Sequence, residues 1–454
     1  MKLGYLTGLA MLSLFLSACS NTAKISEIAD LETLPQTPES YTQALPAYDF
    51  NEQQRLNDEF DKTFFSPWDI SKMSYDLAQA SWGSYYLKKE TYGENHKLRK
   101  KEWYEEQIKR SNFDQYDTLR EYAITTHNSN LRVFPTQSVI FYNPDAPGEG
   151  FPFDYNQNSH IKINTPLFVS HYSLDKAWVY VEANSLFGWL PVKDVAFMDE
   201  AQRHNFKTGH YYVATQDEFA LFDQSENFVE YIKLGTIFPI INGSLVSVKA
   251  SFKLSNSLIA QPENGAEFVY SNINQQQVAQ KPLAFNRTNL NKISSALIGE
   301  DYGWGGVLAN RDCSAFTKDF FTPFGIYLKR NSSKQLEAGQ YIELKTLDNE
   351  AKKQAILADA IPFMTLIYLR GHIMLYVGEG AGEQAGEPLV FHNIWGLRTL
   401  KDDGSTGRFI IGRAVITTLE PGKELPNLVQ ESSLLSKIQG MVILDRPADS
   451  LALN

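Results

Sequence analysis

Residues 301–316 read Asp301-Tyr302-Gly303-Trp304-Gly305-Gly306-Val307-Leu308-Ala309-Asn310-Arg311-Asp312-Cys313-Ser314-Ala315-Phe316. The glycines alone say little, and no phosphate loop is present because the Gly-Lys-Ser/Thr ending is missing. Asp312 is a preferred N-cap residue, so Cys313 is expected at the first position of a helix. Phe316, Phe320, Phe321 and Phe324 recur as a buried stripe, and Gly325 closes the helix. A thiol at a helix N-terminus feels the positive end of the dipole, which favours thiolate. Asp312 opposes part of that field. An imidazole is therefore still required.

Two histidines downstream can supply it. Residues 366–370 and 372–377 read as strands bent at Gly371, with His372, Met374 and Tyr376 on one face and Ile373, Leu375 and Val377 on the other. His392 lies in Leu389-Val390-Phe391-His392-Asn393-Ile394-Trp395, expected on a neighbouring strand. Either histidine alone reads as readily as a core residue. Together, on consecutive strands after a helix-capping cysteine, they form a nucleophile, base and orienter set, one ring taking the proton and the other holding its tautomer.

The rest of the chain sets the context. Net charge is −11, which argues against nucleic acid as a partner. Met1-Lys2 and the apolar run Leu3 to Leu16 read as a signal peptide, too short for a comfortable membrane span. Leu16-Ser17-Ala18-Cys19 resembles the bacterial lipobox, with Cys19 the lipidated residue, and Ser20 resembles the outer-membrane sorting pattern of Gram-negative lipoproteins. The chain has only two cysteines, so a lipidated Cys19 leaves Cys313 without a disulfide partner in an oxidising compartment.

Length suggests about three domains. Residues 20–47 are rich in Ser, Thr, Glu and Pro and read as a flexible tether. A charged, helical pattern follows to Asp117, broken at Phe64-Phe65-Ser66-Pro67-Trp68. From Ile161 to Phe285 short β-rich runs alternate with turns, in two successive units resembling bacterial SH3-like domains. Trp178 and Trp189 are read as barrel core. A helix from Leu290 to Ile298 opens the last domain, and Met441-Val442-Ile443-Leu444 reads as a short edge strand.

Tyr302-Gly303-Trp304-Gly305-Gly306, Asp312-Cys313-Ser314, Gly371-His372-Ile373 and Phe391-His392-Asn393 resemble the NlpC-type papain-like cysteine peptidases of bacterial cell walls. Asn128 to Thr136 and Gly150-Phe151-Pro152-Phe153-Asp154-Tyr155 resemble the N-terminal stabilising domain of multidomain members. The implied fold is α+β and multidomain. Its expected parts are a lipoprotein signal peptide (1–19), the tether (20–47), a helical stabilising domain (48–158), SH3-like barrels (159–205 and 206–285), a papain-like catalytic domain (286–420) and a tail (421–454).

The resemblance implies hydrolysis of the γ-D-glutamyl–diaminopimelate (L-diamino acid) bond of peptidoglycan stem peptides, particularly those with a free N-terminal L-Ala. It makes Cys313 the nucleophile, His372 the base and then acid, His392 the orienting third member, and the Tyr302 hydroxyl an oxyanion donor beside the Cys313 amide. Trp304, Asp312, Ser314 and Ser332 match substrate-lining positions. Ala315 stands where Gly is usual, and Asn331 where some relatives have an acid. From the barrels, Asp175, Trp178 and Tyr180 are candidate contributors to the pocket. No metal or other cofactor is expected, since no His-Glu-x-x-His or Cys/His cluster occurs. The expected state is a monomer whose partners are stem peptides and, through its lipid, a membrane.

Two other readings compete. Acyl transfer or lipid amide hydrolysis on the same fold predicts an apolar acyl channel, which the polar Asp312 and Ser314 do not suggest. A non-catalytic wall-binding lipoprotein predicts loss of the cysteine or a histidine, and all three are present.

Overall fold

The computed structural model describes residues 27–42, 45, 50–252 and 264–444. Cys19 and the signal peptide lie outside these residues. The helix Phe50–Phe64 stops where expected, and a 3-10 turn at Ser66–Trp68 follows. There Trp68 packs against Phe65 and Phe206 while its Nε1 donates to the Ala123 carbonyl at 2.8 Å. This anchors the helical region, which includes Lys101–Arg110, to the β structure behind it.

Twelve strands form one continuous sheet running through both barrel units. The first unit begins earlier than expected. Glu121–Thr125 pairs with Pro166–Tyr172 and with Val195–Phe197, and Ser129–Arg132 pairs with Gln157–Ile161. Residues 121–161, assigned from the sequence largely to the stabilising domain, thus supply three strands of the first barrel. These strands are short and polar, so their two-residue alternation is weak. Each barrel has its own apolar core, around Val179, Val181 and Leu190 in the first and Phe219, Ile232 and Phe238 in the second. Trp178 and Trp189 are buried core residues. The strands Asn264–Ser271 and Val195–Phe197 join the two units through a parallel pairing at Gly265 and Phe197.

The C-terminal domain is a six-stranded antiparallel sheet in the order Gln340–Glu343, Ile438–Ile443, Thr365–Leu369, His372–Glu379, Pro388–Leu400, Thr406–Thr418. The helix Cys313–Phe321 packs on one face, with Phe316, Phe320, Phe321 and Phe324 fully buried and Gly325 at φ 76° ending the turn. Residues 438–443 are therefore an interior strand rather than the edge expected at 441–444. Gln439 and Gly440 interrupt the apolar pattern, which hides it. A Cβ at Gly440 would lie 2.5 Å from the Tyr341 ring, so any other residue there would have to displace that ring.

The expected tether is also corrected. Residues 27–42 are docked, not free. Ile28 is fully buried against the catalytic domain, and Leu31 packs beside it. The Thr406–Thr418 strand is an edge, and its outward N–H and C=O groups need cover. Glu300 and Tyr302 bond to Ala414 and Gly412, Gln36 exchanges two bonds with Ile416, and the Asp30 carboxylate accepts from Thr418 N. The linker-like composition masks this, since the relevant polar side chains are bonding to backbone.

Candidate active site

Asp312 caps the helix as expected, its Oδ1 accepting from the amides of Ser314 (3.2 Å) and Ala315 (2.9 Å). This fixes Cys313 at the first helical position, 7% exposed. Tyr302, Trp304, Asp312, Cys313, Ser314 and Ser332 all line one cleft of about 600 Å³. The Gly-rich turn lets the catalytic domain meet the first barrel closely. Gly306 has φ 86°, and a Cβ there would lie 2.3 Å from His160 Cβ; at Gly305 it would lie 2.7 Å from the Gln157 carbonyl oxygen.

The hairpin turn at Gly371 (φ 86°) brings the next strand across the helix N-terminus. The Ile373 amide lies close enough to the Cys313 thiol to lower its pKa. His372, one residue earlier, places Nε2 2.8 Å from His392 Nδ1, and His392 Nε2 lies 3.0 Å from Thr417 Oγ1. His392 is fully buried behind His372. The structure thus sets Tyr302 and the thiol on one cleft, with the linked rings on the strands that pack against the same helix.

Charge in this region is set by burial first. Burial pushes the Cys313 thiol up to about 12, and neighbouring Asp312 adds to it, while the Ile373 N–H and Arg330 pull the other way. Burial depresses His372 to about 4 against the pull of Asp312, and takes His392 well below its ordinary value, helped by His372. Both partners are neutral in the unliganded cleft. The thiolate favoured by the helix dipole alone is therefore overridden by desolvation. Burial also raises the Tyr302 phenol, as do Cys313 and Asp312 close by, so it remains a donor at neutral pH.

Sequence reasoning missed Arg330 as an organiser. Its Nη2 donates to Asp312 Oδ2 at 2.6 Å, Nη1 to Asp312 Oδ1 at 3.0 Å, and Nε to Ser159 Oγ of the first barrel at 3.0 Å. Burial would raise the Asp312 carboxyl, but Arg330, the Ala315 amide and the Ser314 hydroxyl outweigh it and hold it below its usual range. Trp82, Tyr86, Gln157, Asn158 and Arg370 also line the cleft. The aromatic density of Trp82-Gly83-Ser84-Tyr85-Tyr86 was the available signal for the first two. The barrel candidates Asp175, Trp178 and Tyr180 are not at the cleft. Trp178 and Tyr180 are buried in barrel packing, and Asp175 accepts from Ser173 and Ala177 in a turn. Phe153 and Tyr155 pack on Trp304 with ring centroids at 5.5 and 5.7 Å, forming an aromatic wall.

The sequence matches three family models: the NlpC/P60 stabilising domain at residues 8–116, an SH3 domain of the SH3b1 type at 140–191, and the NlpC/P60 family at 299–389. Among curated proteins, none matches. A novel NlpC/P60 endopeptidase from Photobacterium damselae subsp. piscicida has a similar fold, with TM-score 0.81 and 23% identity over 91% of this chain and 98% of that one. An NlpC/P60 family protein from Bacillus cereus ATCC 10987 aligns at TM-score 0.42 and 14% identity, over 71% of this chain and 98% of its own. Beside the thiol at a helix N-terminus and the two linked imidazoles, these matches give the chain an NlpC/P60 domain of the papain-like cysteine peptidase type at residues 299–389, preceded by an NlpC/P60 stabilising domain and an SH3 domain.

Proposed function

We propose that this enzyme hydrolyses the γ-D-glutamyl–diaminopimelate (L-diamino acid) bond of peptidoglycan stem peptides. The observation that carries this reading is the cleft in which Cys313 opens a helix beside Tyr302, with His372, next to cleft-lining Gly371, bonded to His392. The Cys313 sulfur attacks the γ-carbonyl carbon as its proton passes to His372. The Tyr302 hydroxyl and the Cys313 amide hold the oxyanion, each worth roughly 2.7–4 kcal/mol in comparable sites. His372 then protonates the departing diaminopimelate amine, leaving a thioester. Water attacks the thioester, giving its proton to His372, which returns it to the sulfur as the D-glutamyl acid leaves. Polar Asp312 and Ser314 at the cleft favour a peptide over an acyl chain.

We place the mature enzyme in the periplasm, held at the outer membrane by a lipid on Cys19. The lipobox-like sequence supports this. Among the described residues no helix is long and apolar enough to cross a membrane.

Peptides with a free L-Ala amine are the first expected substrates. A second reading, stem peptides still attached to glycan, is favoured by one observation: both Asp312 oxygens already accept from Arg330, leaving little of its charge for a substrate ammonium. Purified protein should be given L-Ala-γ-D-Glu-diaminopimelate, its N-acetylated form and intact sacculi, with products identified by mass spectrometry. Cleavage of the free-amine peptide between Glu and diaminopimelate is expected. Cleavage of sacculi alone would replace the first substrate class with the second. No cleavage of any of the three would refute the assignment.

A further inference from the structure

The histidine pair leaves one question open: what decides which ring nitrogens carry protons. Two neutral imidazoles joined by one hydrogen bond have two arrangements. In the first, His372 Nε2–H donates to His392 Nδ1, and His372 Nδ1 is left as a lone pair able to take the thiol proton. In the second, His392 Nδ1–H donates to His372 Nε2, and His372 Nδ1 already carries a hydrogen. The second has no base at Nδ1.

The chain of bonds behind His392 selects between them. Thr417 Oγ1 donates its only hydrogen to the Thr418 carbonyl at 2.7 Å. With that hydrogen so engaged, its lone pairs are free to accept from His392 Nε2–H across 3.0 Å, and this nitrogen is then the protonated one. With Nε2 protonated and the ring neutral, His392 Nδ1 accepts from His372 Nε2–H at 2.8 Å. Thr417 and His392 are both fully buried, so no solvent can replace the hydroxyl at no cost.

We propose that Thr417 is a positioning residue that holds both histidines in the working tautomer, so that His372 Nδ1 is the site that takes the Cys313 proton. The orientation of Thr417 is itself supported from outside the catalytic sheet. Asp30 Oδ2 accepts from both the amide (2.7 Å) and the hydroxyl (2.8 Å) of Thr418, fixing the residue whose carbonyl receives the Thr417 hydrogen. The segment 27–42 is thereby tied to the imidazole pair through two residues of one strand.

This inference rests on Cys313, His372 and His392 being the reacting set. In the full chain, Thr417→Val and Thr417→Ala remove the hydroxyl, and Thr417→Ser retains it. Turnover of the stem peptide and the pH dependence of Cys313 alkylation by iodoacetamide should be measured together with Tm. We expect the hydroxyl-free variants to lose about 10–100-fold in kcat with KM little changed, in line with losing a supporting hydrogen bond behind an active-site imidazole. Their alkylation at neutral pH should slow, and Thr417→Ser should recover to within about threefold in both assays. The proposal is overturned if a folded hydroxyl-free variant keeps kcat within about twofold, or if Thr417→Ser is as impaired as Thr417→Val. Alkylation needs no substrate, so it tests the tautomer even if the peptide bond assigned is wrong. An active Cys313→Ala enzyme would instead sink the underlying reading.

Discussion

Arg330 grips both oxygens of Asp312, with Nη2–Oδ2 at 2.6 Å and Nη1–Oδ1 at 3.0 Å, and the pair is nearly excluded from solvent. The same carboxylate caps the helix that carries Cys313, and the same guanidinium reaches Ser159 in the first barrel. One ion pair therefore sets the position of the nucleophile relative to a neighbouring domain.

Removing one member of such a pair strands a buried charge. Arg330→Ala should destabilise the protein by about 3–5 kcal/mol, measured by denaturant unfolding. Arg330→Lys should rescue only in part, because an ammonium cannot reproduce the two-pronged contact. The double change with Asp312→Ala should cost less than the sum of the two single changes. Additive losses would show that the two side chains act independently.

Asp30 makes a separate prediction at the sheet edge. Its carboxylate is buried, and burial raises its pKa above the usual value against the pull of the Thr418 amide and hydroxyl. Asp30→Ala leaves two buried Thr418 donors without that acceptor, a loss of about 1–3 kcal/mol. Hydrogen exchange at Thr418 should accelerate in the variant. An unchanged exchange rate would mean that the segment 27–42 rests on the sheet without holding it.

The parts of this molecule legible in its sequence are those where one residue type carries one physical job. Asp312 marks a helix start, the phenylalanines after Cys313 mark a buried face and Gly371 marks a turn between strands, so the places of Cys313, His372 and His392 in the fold were legible. The parts that were hidden join segments far apart in the chain. Arg330 meets Ser159 across a domain boundary, and Asp30 meets Thr418 across almost the whole sequence. No local period encodes such pairs. The polar strands at 121–132 and the Gly440 interruption likewise depend on a partner strand, which supplies the order their own pattern lacks.

Four histidines share one pH signature. Burial depresses His160 to about 3 and His171 and His372 to about 4, and takes His392 well below its ordinary value; cations add at His160, and His372 adds at His392. An unfolded chain protonates these rings near 6.5, whereas the folded chain holds them neutral until nearer 4 or lower. Between those values the unfolded state binds more protons, so stability rises with pH there and is lost as pH falls from about 6.5 toward 4. Tm measured across this range should fall steadily. The acid limb of kcat/KM, which reports the free enzyme, should likewise lie below 6.5, displaced toward about 4 by His372. A limb at or above 6.5 would contradict the burial of that ring.

Stability and chemistry should separate cleanly at two residues. Trp189 is fully buried in the first barrel, with ring centroids 5.1 Å from Tyr180, 5.2 Å from His171 and 6.1 Å from Phe113. Trp189→Ala empties that cluster and should cost about 3–5 kcal/mol, with turnover per folded molecule little changed at a permissive temperature. Cys313→Ala removes one sulfur from a site that opens on the cleft, so its unfolding curve should stay close to that of the parent while turnover disappears. If Trp189→Ala abolished turnover while remaining fully folded, the first barrel would have to act on the reaction by a route other than holding its own fold. The measured pair of unfolding free energy and kcat for each variant decides between these outcomes.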